Sequence, residues 1–340
     1  MRKRRAFIGF DGFVDSIVRV VDCHRSDGRT LISSIDAFGR RVLGAKGKST
    51  NIELETVNKK FGGNGPILSE ALRKLGFSTI YVGTVGHEIF KQFSEHNGAI
   101  SIGEPGETLA LEFEDGKIIF GEMRDVARVD IDWIFRHIDR QYFVEILNSC
   151  DLLCFVNWTM LIGLGSILEF AIGEIVGDEK IFFFDLADPE KRTLADLRTM
   201  CSAMGNFAKR GKVILGANLK EAGHILSAMG EDENIVETRE SMVDAAMVMQ
   251  KTLGIQACFV HANTAAAGYD GAAASVVGYF SPHPKILTGA GDHFNGGFLS
   301  EYVENFNMLS ALHSGSAAAR YYIDSAISPN IQQMEEMKII

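Results

Sequence analysis

Short apolar runs alternate with longer amphipathic stretches along most of this chain. The apolar runs are nearly continuous, which is typical of strands buried on both faces of a parallel sheet. The predicted strands are Arg5–Phe10, Ser78–Gly83, Leu152–Asn157, Lys180–Asp185, Lys212–Gly216 and Gln256–His261. The predicted helices are Gly65–Leu75, Ile131–Leu147, Leu164–Val176, Thr193–Ala208, Leu219–Met229 and Thr238–Leu253. This alternation predicts an α/β fold with a doubly wound, mainly parallel sheet and helices on both faces.

Two regions interrupt this alternation. Residues 16–60 are rich in Gly, Ser, Arg and Lys with short β-like runs, and residues 108–122 are predicted to form a hairpin around Glu114-Asp115-Gly116. We predict that both belong to a small β-rich lid, and that residues 1–15, 61–107 and 123–340 form the main domain. A second hairpin is predicted around Tyr269-Asp270-Gly271.

Composition narrows the class of protein. The 340 residues are 46% hydrophobic and 23% charged, as in ordinary globular proteins. The net charge of −10 argues against a nucleic acid or an anionic membrane as partner, and no apolar stretch is long enough to span a bilayer. Five cysteines at scattered spacings predict reduced thiols and a cytoplasmic protein.

The segment most suggestive of chemistry is Gly289-Ala290-Gly291-Asp292, which precedes a helical pattern. Backbone N–H groups at a helix N-terminus bind phosphate-like anions. A carboxylate is out of place beside such a site unless it removes a proton from a hydroxyl that attacks a phosphoryl group. The alternative is a closely packed helix start in which Asp292 is only an N-terminal charge.

Two familiar nucleotide motifs do not explain this segment. If Gly289 and Gly291 began a dinucleotide-binding fingerprint, a third glycine would be due where Phe294 stands. The sequence Gly47-Lys48-Ser49 suggests a P-loop, but the first glycine of that motif would fall on Val42. Phosphate binding must therefore be argued from residues 288–298 themselves.

Two further segments offer contacts for an acceptor molecule. Gly62 and Gly63 allow close approach of a ligand to the backbone, and Asn64 can both donate and accept hydrogen bonds. Asp11 and Asp15 follow the first strand, where carboxylates can bind sugar hydroxyls. The alternatives are a turn capped by Asn64 and a solvated turn at the aspartates.

Two carboxylate-bearing segments lie farther along the chain. Asn218 and Glu221 are three residues apart on a first helical turn, where they could hold the water shell of Mg²⁺. A capping box explains the same spacing equally well. For Asp185 and Asp188, which follow a strand and precede Pro189, helix capping is the favoured role.

Taken in order, these motifs resemble one family, the ribokinase-like sugar kinases of the phosphofructokinase B family. The resemblance extends over nearly the whole chain. The matching motifs are Gly62-Gly63 before a helix ending Arg73-Lys74-Leu75-Gly76, Val82-Gly83-Thr84-Val85-Gly86, Asp185…Asp188-Pro189…Arg192, Asn218-x-x-Glu221, and Gly289-Ala290-Gly291-Asp292-x-Phe294-x-Gly296-Gly297-Phe298.

The resemblance implies a role for each motif. Asp292 would be the catalytic base, and Gly289, Ala290 and Gly291 would form the anion hole. Asn218 and Glu221 would organise Mg²⁺ and the phosphates of ATP, and Asp15, Gly62, Gly63 and Asn64 would contact the acceptor. Thr288 and Gly315 are predicted nucleotide contacts, with the adenine near residues 309–326.

The predicted function is ATP-dependent phosphorylation of a hydroxyl on a sugar or sugar-like molecule. The alternatives are a catalytically weak sugar- or nucleoside-binding protein on the same fold, or a kinase of a nucleoside or vitamin precursor, with ADP as a possible donor. The family implies a homodimer through the lid. The acceptor contacts depart from the family pattern, since Ile67 stands where an asparagine is usual, so the sugar is not identified.

Overall fold

A computed structural model of the protein describes residues 3–26, 28–177, 179–278, 281–282 and 284–338. Its strands are β1 (Arg5–Phe10), β2 (Phe13–Arg25), β3 (Gly28–Leu31), β4 (Leu54–Gly62), β5 (Ser78–Gly83), β6 (Ala99–Ser101), β7 (Gly106–Phe113), β8 (Gly116–Glu122), β9 (Leu152–Val156), β10 (Lys180–Asp185), β11 (Gly211–Asn218), β12 (Ala257–His261), β13 (Ala265–Tyr269) and β14 (Ala273–Val277).

The helices connect these strands and pack around them. They are α1 (Ile35–Leu43), α2 (Asn64–Lys74), α3 (Lys91–Asn97), α4 (Ile131–His137), α5 (Arg140–Ser149), α6 (Leu164–Glu174), α7 (Leu194–Phe207), α8 (Leu219–Met229), α9 (Arg239–Leu253), α10 (Ala290–Asn305), α11 (Met308–Ser325) and α12 (Ile331–Lys338). Among the residues just given, no helix is both long enough and apolar enough to cross a membrane.

The larger sheet has nine strands within the described chain, in the order β14-β13-β12-β11-β10-β9-β1-β5-β6. Pairing is parallel from β12 to β6, and β13 and β14 add the predicted antiparallel hairpin at one edge. The order reverses beside β1, which lies between β9 and β5. Ligands of open α/β sheets bind beyond the carboxyl ends of the strands at such a point.

Both faces of the large sheet are buried, which explains the continuous apolar runs. On β10, Phe182 and Phe184 pack into the core on one face, whereas Ile181 and Phe183 pack into the core on the other. Side chains of a strand alternate between faces, so only a strand covered on both sides needs an apolar residue at every position. The doubly wound α/β fold predicted from the sequence is confirmed.

A second, smaller sheet lies over the carboxyl ends of the large one. Its central strand β2 pairs with β3 and β4 antiparallel and with β7 in parallel, and β8 completes the hairpin with β7. One face carries a small apolar core that includes Val18, Val20 and Phe38 of α1. The register places Asp15 of β2 between Lys60 of β4 and Thr108 of β7.

One predicted helix is wrong in detail, and one helix was not predicted. The helix predicted over Ile131–Leu147 is two helices, because Ile138 adopts an extended conformation and Asp139 starts α5 by accepting from the amide of Tyr142. The region 16–60, predicted to belong to a small β-rich lid with short β-like runs, also contains α1, whose N-terminus is capped by the Ser34 hydroxyl.

Candidate active site

A cavity of about 1250 Å³ separates the two sheets. Its floor is formed by residues at the carboxyl ends of the large-sheet strands, including Asn157, Asp185, Asn218 and His261. Its roof is the face of the small sheet that carries Asp15 and Thr108. The volume exceeds that of a typical small-molecule pocket, so two substrates fit side by side.

Residues 288–292, in which the sequence predicts an anion site and which are therefore called the phosphate loop, lead into α10 on one side of this cavity. Gly289 has φ of 96°, and an added Cβ there would lie 3.1 Å from the Tyr322 hydroxyl oxygen. The Ala290 amide donates to the Leu287 carbonyl, and the His293 amide donates to the Gly289 carbonyl. The amides of Gly291 and Asp292 lie between these two, in the first helical turn, where the N–H groups have no partner within the helix.

His293 fixes the shape of the phosphate loop from behind. Its Nδ1 lies 2.7 Å from the Gly289 carbonyl oxygen, its Nε2 lies 2.8 Å from the Ser328 hydroxyl, and its ring stacks on Tyr322 at 3.7 Å. Burial lowers the pKa of His293 to about 4, so the imidazole is neutral at physiological pH. The neutral ring therefore donates from Nδ1 to Gly289 and accepts from Ser328.

Asp292 lies on the first turn of α10, lines the cavity and is 7% exposed. Its Oδ1 accepts a hydrogen bond of 3.0 Å from the Asn64 side-chain amide. Burial raises the pKa of Asp292 well above its usual value, and the nearby carboxylate of Asp185 raises it further. The hydrogen bond from Asn64 acts in the opposite direction by stabilising the ionised form.

The small-sheet side of the cavity is built around Asp15. Its Oδ1 accepts from the Thr108 hydroxyl at 2.6 Å, and burial raises the pKa of this carboxyl. Gly62 of β4 is paired with Phe13 of β2, and a Cβ added to it would lie 2.0 Å from Asp15 Oδ2. Gly63 has φ of 104° and lines the cavity, and a Cβ added there would lie 2.9 Å from Asp11 Oδ2. Gly62 therefore makes room for Asp15, and Gly63 makes room for Asp11.

Asp11 does not line this cavity, contrary to the prediction of an acceptor contact. It is completely buried, and it accepts from the amides of Asn64 and Gly65 and from the side chain of Asn157. Asp11 therefore caps α2 from a distance and joins it to the end of β9. Asn64 itself makes no capping bond with its side chain, so its amide is available to Asp292.

Asn218 and Glu221 form the capping box of α8. The Asn218 side chain accepts from the Glu221 amide, and Glu221 Oε2 accepts from the Asn218 amide, each at 2.9 Å. Glu221 Oε1 also accepts from the amide of Asp188 at 3.0 Å. Both residues line the cavity, and burial raises the pKa of Glu221. The capping box, which was one of the two predictions for these residues, is therefore formed. The Glu221 carboxylate nevertheless remains at the cavity floor.

Asp185 and Asp188 differ from their predicted capping role. Asp188 adopts a left-handed conformation and makes no side-chain cap; its carboxylate instead pairs with Lys220 at 3.0 Å. Asp185 accepts from the Ala187 amide at 3.0 Å and from the Asn295 side chain at 2.6 Å. Burial, together with the charge of Glu221, raises the pKa of Asp185 to about 7.

Gly315 does not fit its prediction as a nucleotide contact. It lies on α11 and packs against Phe294, and an added Cβ would meet that ring at 2.9 Å. The residue does not line the cavity, so its smallness serves the contact between α10 and α11. Thr288, by contrast, does line the cavity and hydrogen-bonds to Lys117 of β8.

Two residues at the site were not identified from the sequence. Lys117 of β8 hydrogen-bonds to Thr288, and Asn295 is buried under Asp185. Asn295 lies one turn of helix after Gly291 and Asp292, so its spacing from the phosphate loop was a usable signal. His261, at the end of β12, stacks on Phe294 and lines the cavity.

Within the described residues, no group of three or more His, Cys, Asp or Glu side chains has the geometry to hold a metal ion directly. The charge distribution nevertheless fits a hydrated cation. The charge of Glu221 raises the pKa of Asp185, and the charges of Asp185 and Glu221 raise the pKa of Asp292. These three carboxyl groups therefore concentrate negative charge in one place. Mg²⁺ usually keeps several of its waters, so a carboxylate and an amide suffice to hold it.

Comparison with known proteins agrees with this geometry. A family model described as prokaryotic ketohexokinase matches residues 1–338. A ketohexokinase of Haloferax volcanii is 25% identical to this chain over an alignment 350 residues long. The alignment covers 97% of this chain and 89% of that protein.

Solved structures identify the fold. A ribokinase from Thermotoga maritima superposes with a TM-score of 0.67 at 16% identity, covering 100% of both chains. The ribokinase of Arabidopsis thaliana, complexed with ribose and ATP, gives a TM-score of 0.65 at 14% identity, again over 100% of both chains. The chain therefore has the ribokinase fold.

Proposed function

Because the chain belongs to the prokaryotic ketohexokinase family and is thus a sugar kinase, we propose that its acceptor is a ketohexose and its donor ATP. The observation that supports this most is the surroundings of Asp292. One cavity brings together this buried carboxylate, the amides at the start of α10, and the small-sheet carboxylate Asp15. A kinase acting on an alcohol needs these three elements: a base, an anion site and an acceptor contact.

Asp292 acts as the general base. Its carboxylate accepts the proton of the sugar hydroxyl as the hydroxyl oxygen bonds to the γ-phosphorus of ATP. The bond from that phosphorus to the bridging oxygen breaks at the same time, and its electron pair leaves with ADP. A positioned base contributes about 10²–10⁴-fold to such a step.

The phosphate loop binds the phosphoryl oxygens. The amides of Gly291 and Asp292 begin α10, where the helix dipole favours negative charge. Gly289 brings the backbone into this position through its left-handed conformation. The loop keeps its shape through His293 and Tyr322, so little reorganisation is needed as charge develops on the phosphoryl group.

The Asn64 amide positions Asp292 and helps it to ionise. A base must be deprotonated to work, yet burial and neighbouring carboxylates hold the pKa of Asp292 high. The hydrogen bond from Asn64 favours the ionised form and fixes the orientation of the carboxylate. Asn64 thus connects the acceptor loop, residues 61–66, to the catalytic base.

Asn218 and Glu221, with Asp185 beside them, would hold Mg²⁺ through its water shell. When bound there, the ion would neutralise phosphate charge and the local excess of carboxylates. The residues fit because their oxygens line the cavity floor while the backbone amides of Asn218 and Asp188 keep Glu221 in place.

The proposal is tested by measuring ADP formation from ATP with a panel of ketohexoses, aldohexoses, pentoses and nucleosides. We expect turnover with one or more ketohexoses and a kcat/KM at least about tenfold lower with the matching aldohexose, since one lost polar contact costs that much. A parallel series with ADP as donor should give no product. Preference for a nucleoside, or sugar-dependent stabilisation without turnover, would contradict the proposal.

The small sheet is the proposed homodimer contact. Its edge strand β8 exposes Ile119 towards the cavity and Phe120 on the opposite face, each at 53%, so Phe120 is the apolar side chain of this edge that a second subunit could cover. Light scattering after size exclusion should give twice the chain mass, and Phe120→Lys should give the monomer.

All five cysteines are free, in keeping with the cytoplasm as the place of action.

A further inference from the structure

Lys117 joins the small sheet to the phosphate loop. It follows the hairpin turn between β7 and β8, and its ammonium group hydrogen-bonds to the Thr288 hydroxyl. The turn itself is anchored, since the Asp115 carboxylate accepts from the Ile35 amide at 2.9 Å. The small sheet, which does not carry the proposed base Asp292, therefore holds the Lys117 ammonium group at the beginning of the phosphate loop.

The charge balance of the cavity makes this cation significant. Asp185, Glu221 and Asp292 line the floor, and each of them is 7% exposed or less. The acceptor loop, from Phe61 to Pro66, contains no basic residue. A phosphoryl group that enters this site brings further negative charge, so a positive side chain is needed close to its oxygens.

Four lysines line the cavity within the described residues, and they differ in what they face. Lys60 lies opposite Asp15 in the neighbouring strand, so its charge is matched by that carboxylate. Lys191 and Lys285 are the other two. Of these four described lysines, Lys117 is the one that hydrogen-bonds to the phosphate loop.

Lys117 also lies between Asp15 and the phosphate loop. It is close enough to Asp15 to lower the pKa of that acceptor-side carboxyl, and it touches Thr288 on the phosphate side. An ammonium group has three donors, of which Thr288 takes one. We propose, on the basis of the function proposed above, that Lys117 binds the phosphoryl group during its transfer from ATP to the sugar.

The competing explanation is a latch, in which Lys117 only holds the small sheet against Thr288. The two explanations differ in what Thr288→Val should do. A latch loses its function when either partner is removed, so Thr288→Val and Lys117→Met would cause equal losses. A phosphoryl ligand keeps its charge without Thr288, so Thr288→Val would cost much less than Lys117→Met.

The experiment compares Lys117→Met, Lys117→Arg and Thr288→Val with the wild type. The control is Lys59→Met, since Lys59 is exposed on β4 next to Lys60 but does not line the cavity. We expect Lys117→Met to lower kcat roughly 100-fold, with less than a threefold change in the KM for either substrate. Lys117→Arg keeps the positive charge with a different shape, so it should retain part of the activity that Lys117→Met loses, and Lys59→Met should match the wild type.

A binding measurement gives a second readout that does not depend on turnover. Lys117→Met should bind ADP as tightly as the wild type, but should lose roughly 100-fold in affinity for ADP with aluminium fluoride and sugar, which mimics the transferring phosphoryl group. Equal affinities for that mimic, a kcat within threefold of wild type, or equal losses in Thr288→Val would each overturn the inference. A wild type inactive with every sugar would contradict the proposed function as well, whereas an active wild type with an active Lys117→Met contradicts this inference alone.

Discussion

The two sides of the cavity are built in different ways. On the large-sheet side, Asp185, Glu221 and Asp292 are 6%, 7% and 7% exposed, and each carboxylate has a fixed hydrogen-bond partner. On the small-sheet side, Lys117 is exposed and Asp15 is half-buried. On the first side, deep burial and neighbouring carboxylates together raise the pKa values of Asp185 and Asp292, so that side is suited to proton transfer. The open side is suited to contacts that change between sugars.

The largest effect should come from the buried side. Asp292→Asn removes the proposed base without changing its size, so kcat should fall about 10³-fold or more while ADP binding and the melting temperature stay close to wild type. Steady-state kinetics and calorimetric titration with ADP measure the two quantities. Asp132→Asn, an exposed aspartate in the first turn of α4, is the control. A variant of Asp292 that keeps a tenth of wild-type turnover would mean that Asp292 is not the base.

The next effect tests the open side through Gly62→Ala. The added Cβ would lie 2.0 Å from Asp15 Oδ2, so the Asp15 side chain must leave the position in which it accepts a hydrogen bond from Thr108. We expect kcat/KM for the sugar to fall roughly 100-fold through KM, with the KM for ATP unchanged, because a misplaced side chain costs about that much.

Gly39→Ala is the matched control for this substitution, since nothing lies within 4 Å of an added Cβ at that position of α1. It should leave kinetics unaltered and stabilise the helix slightly. If Gly62→Ala instead raised the KM for ATP and spared that of the sugar, the assignment of the two sides would have to be exchanged.

A smaller effect connects the two sides through Asn64. Asn64→Leu removes the donor to Asp292, so the pKa of Asp292 should rise and the acid limb of the kcat–pH profile should move to higher pH. At neutral pH we expect roughly tenfold lower kcat, as for loss of a hydrogen bond to a charged group. Asp185→Asn should move the same limb to lower pH, since it removes a negative charge that raises this pKa. Limbs that do not move in opposite directions would contradict the proposed coupling.

The smallest effect concerns stability. The pKa of Asp185 is about 7 in the folded protein, against 3.8 for the ordinary side chain, so its protonated form stabilises the fold at low pH. That contribution is complete below about pH 4 and is lost as pH rises towards 7. The side chain introduced by Asp185→Asn does not ionise. The melting temperature of this variant relative to wild type should therefore increase from pH 5 to pH 8, by about 2–4 °C for each kcal/mol of unfolding free energy that the wild type loses.

This stability comparison is made by calorimetry with EDTA present, so that no divalent cation offsets the charge. Asp132→Asn should follow the wild type at every pH. A constant difference in melting temperature between Asp185→Asn and wild type would show that Asp185 does not titrate in this range.

Much of the buried side could be predicted from the sequence. The bounds of β1, β5 and β10 were predicted correctly, because strands covered on both faces leave unbroken apolar runs. The phosphate loop at the start of α10 and the capping box of α8 are local patterns, so their spacing was sufficient to locate them.

The open side could not be predicted in the same way. Asn64 and Asp292 are 228 residues apart, and Lys117 and Thr288 are 171 apart, so both pairs depend on the order of strands and on how the small sheet lies over the large one. No periodicity along the chain encodes such contacts. The helix α1 was missed for a different reason: its Gly39 and several charged residues resembled a loop.

The buried carboxylate of Asp11 has a consequence for mutagenesis. It receives hydrogen bonds from the start of α2 and from the residue after β9, so replacing it would loosen the acceptor loop and the switch point of the sheet together. An alanine scan would register that damage as lost activity with sugar, although Asp11 does not line the cavity. Loss of turnover on replacing Asp15 would therefore indicate a contact with the sugar. Loss of turnover on replacing Asp11 would instead reflect damage to the fold.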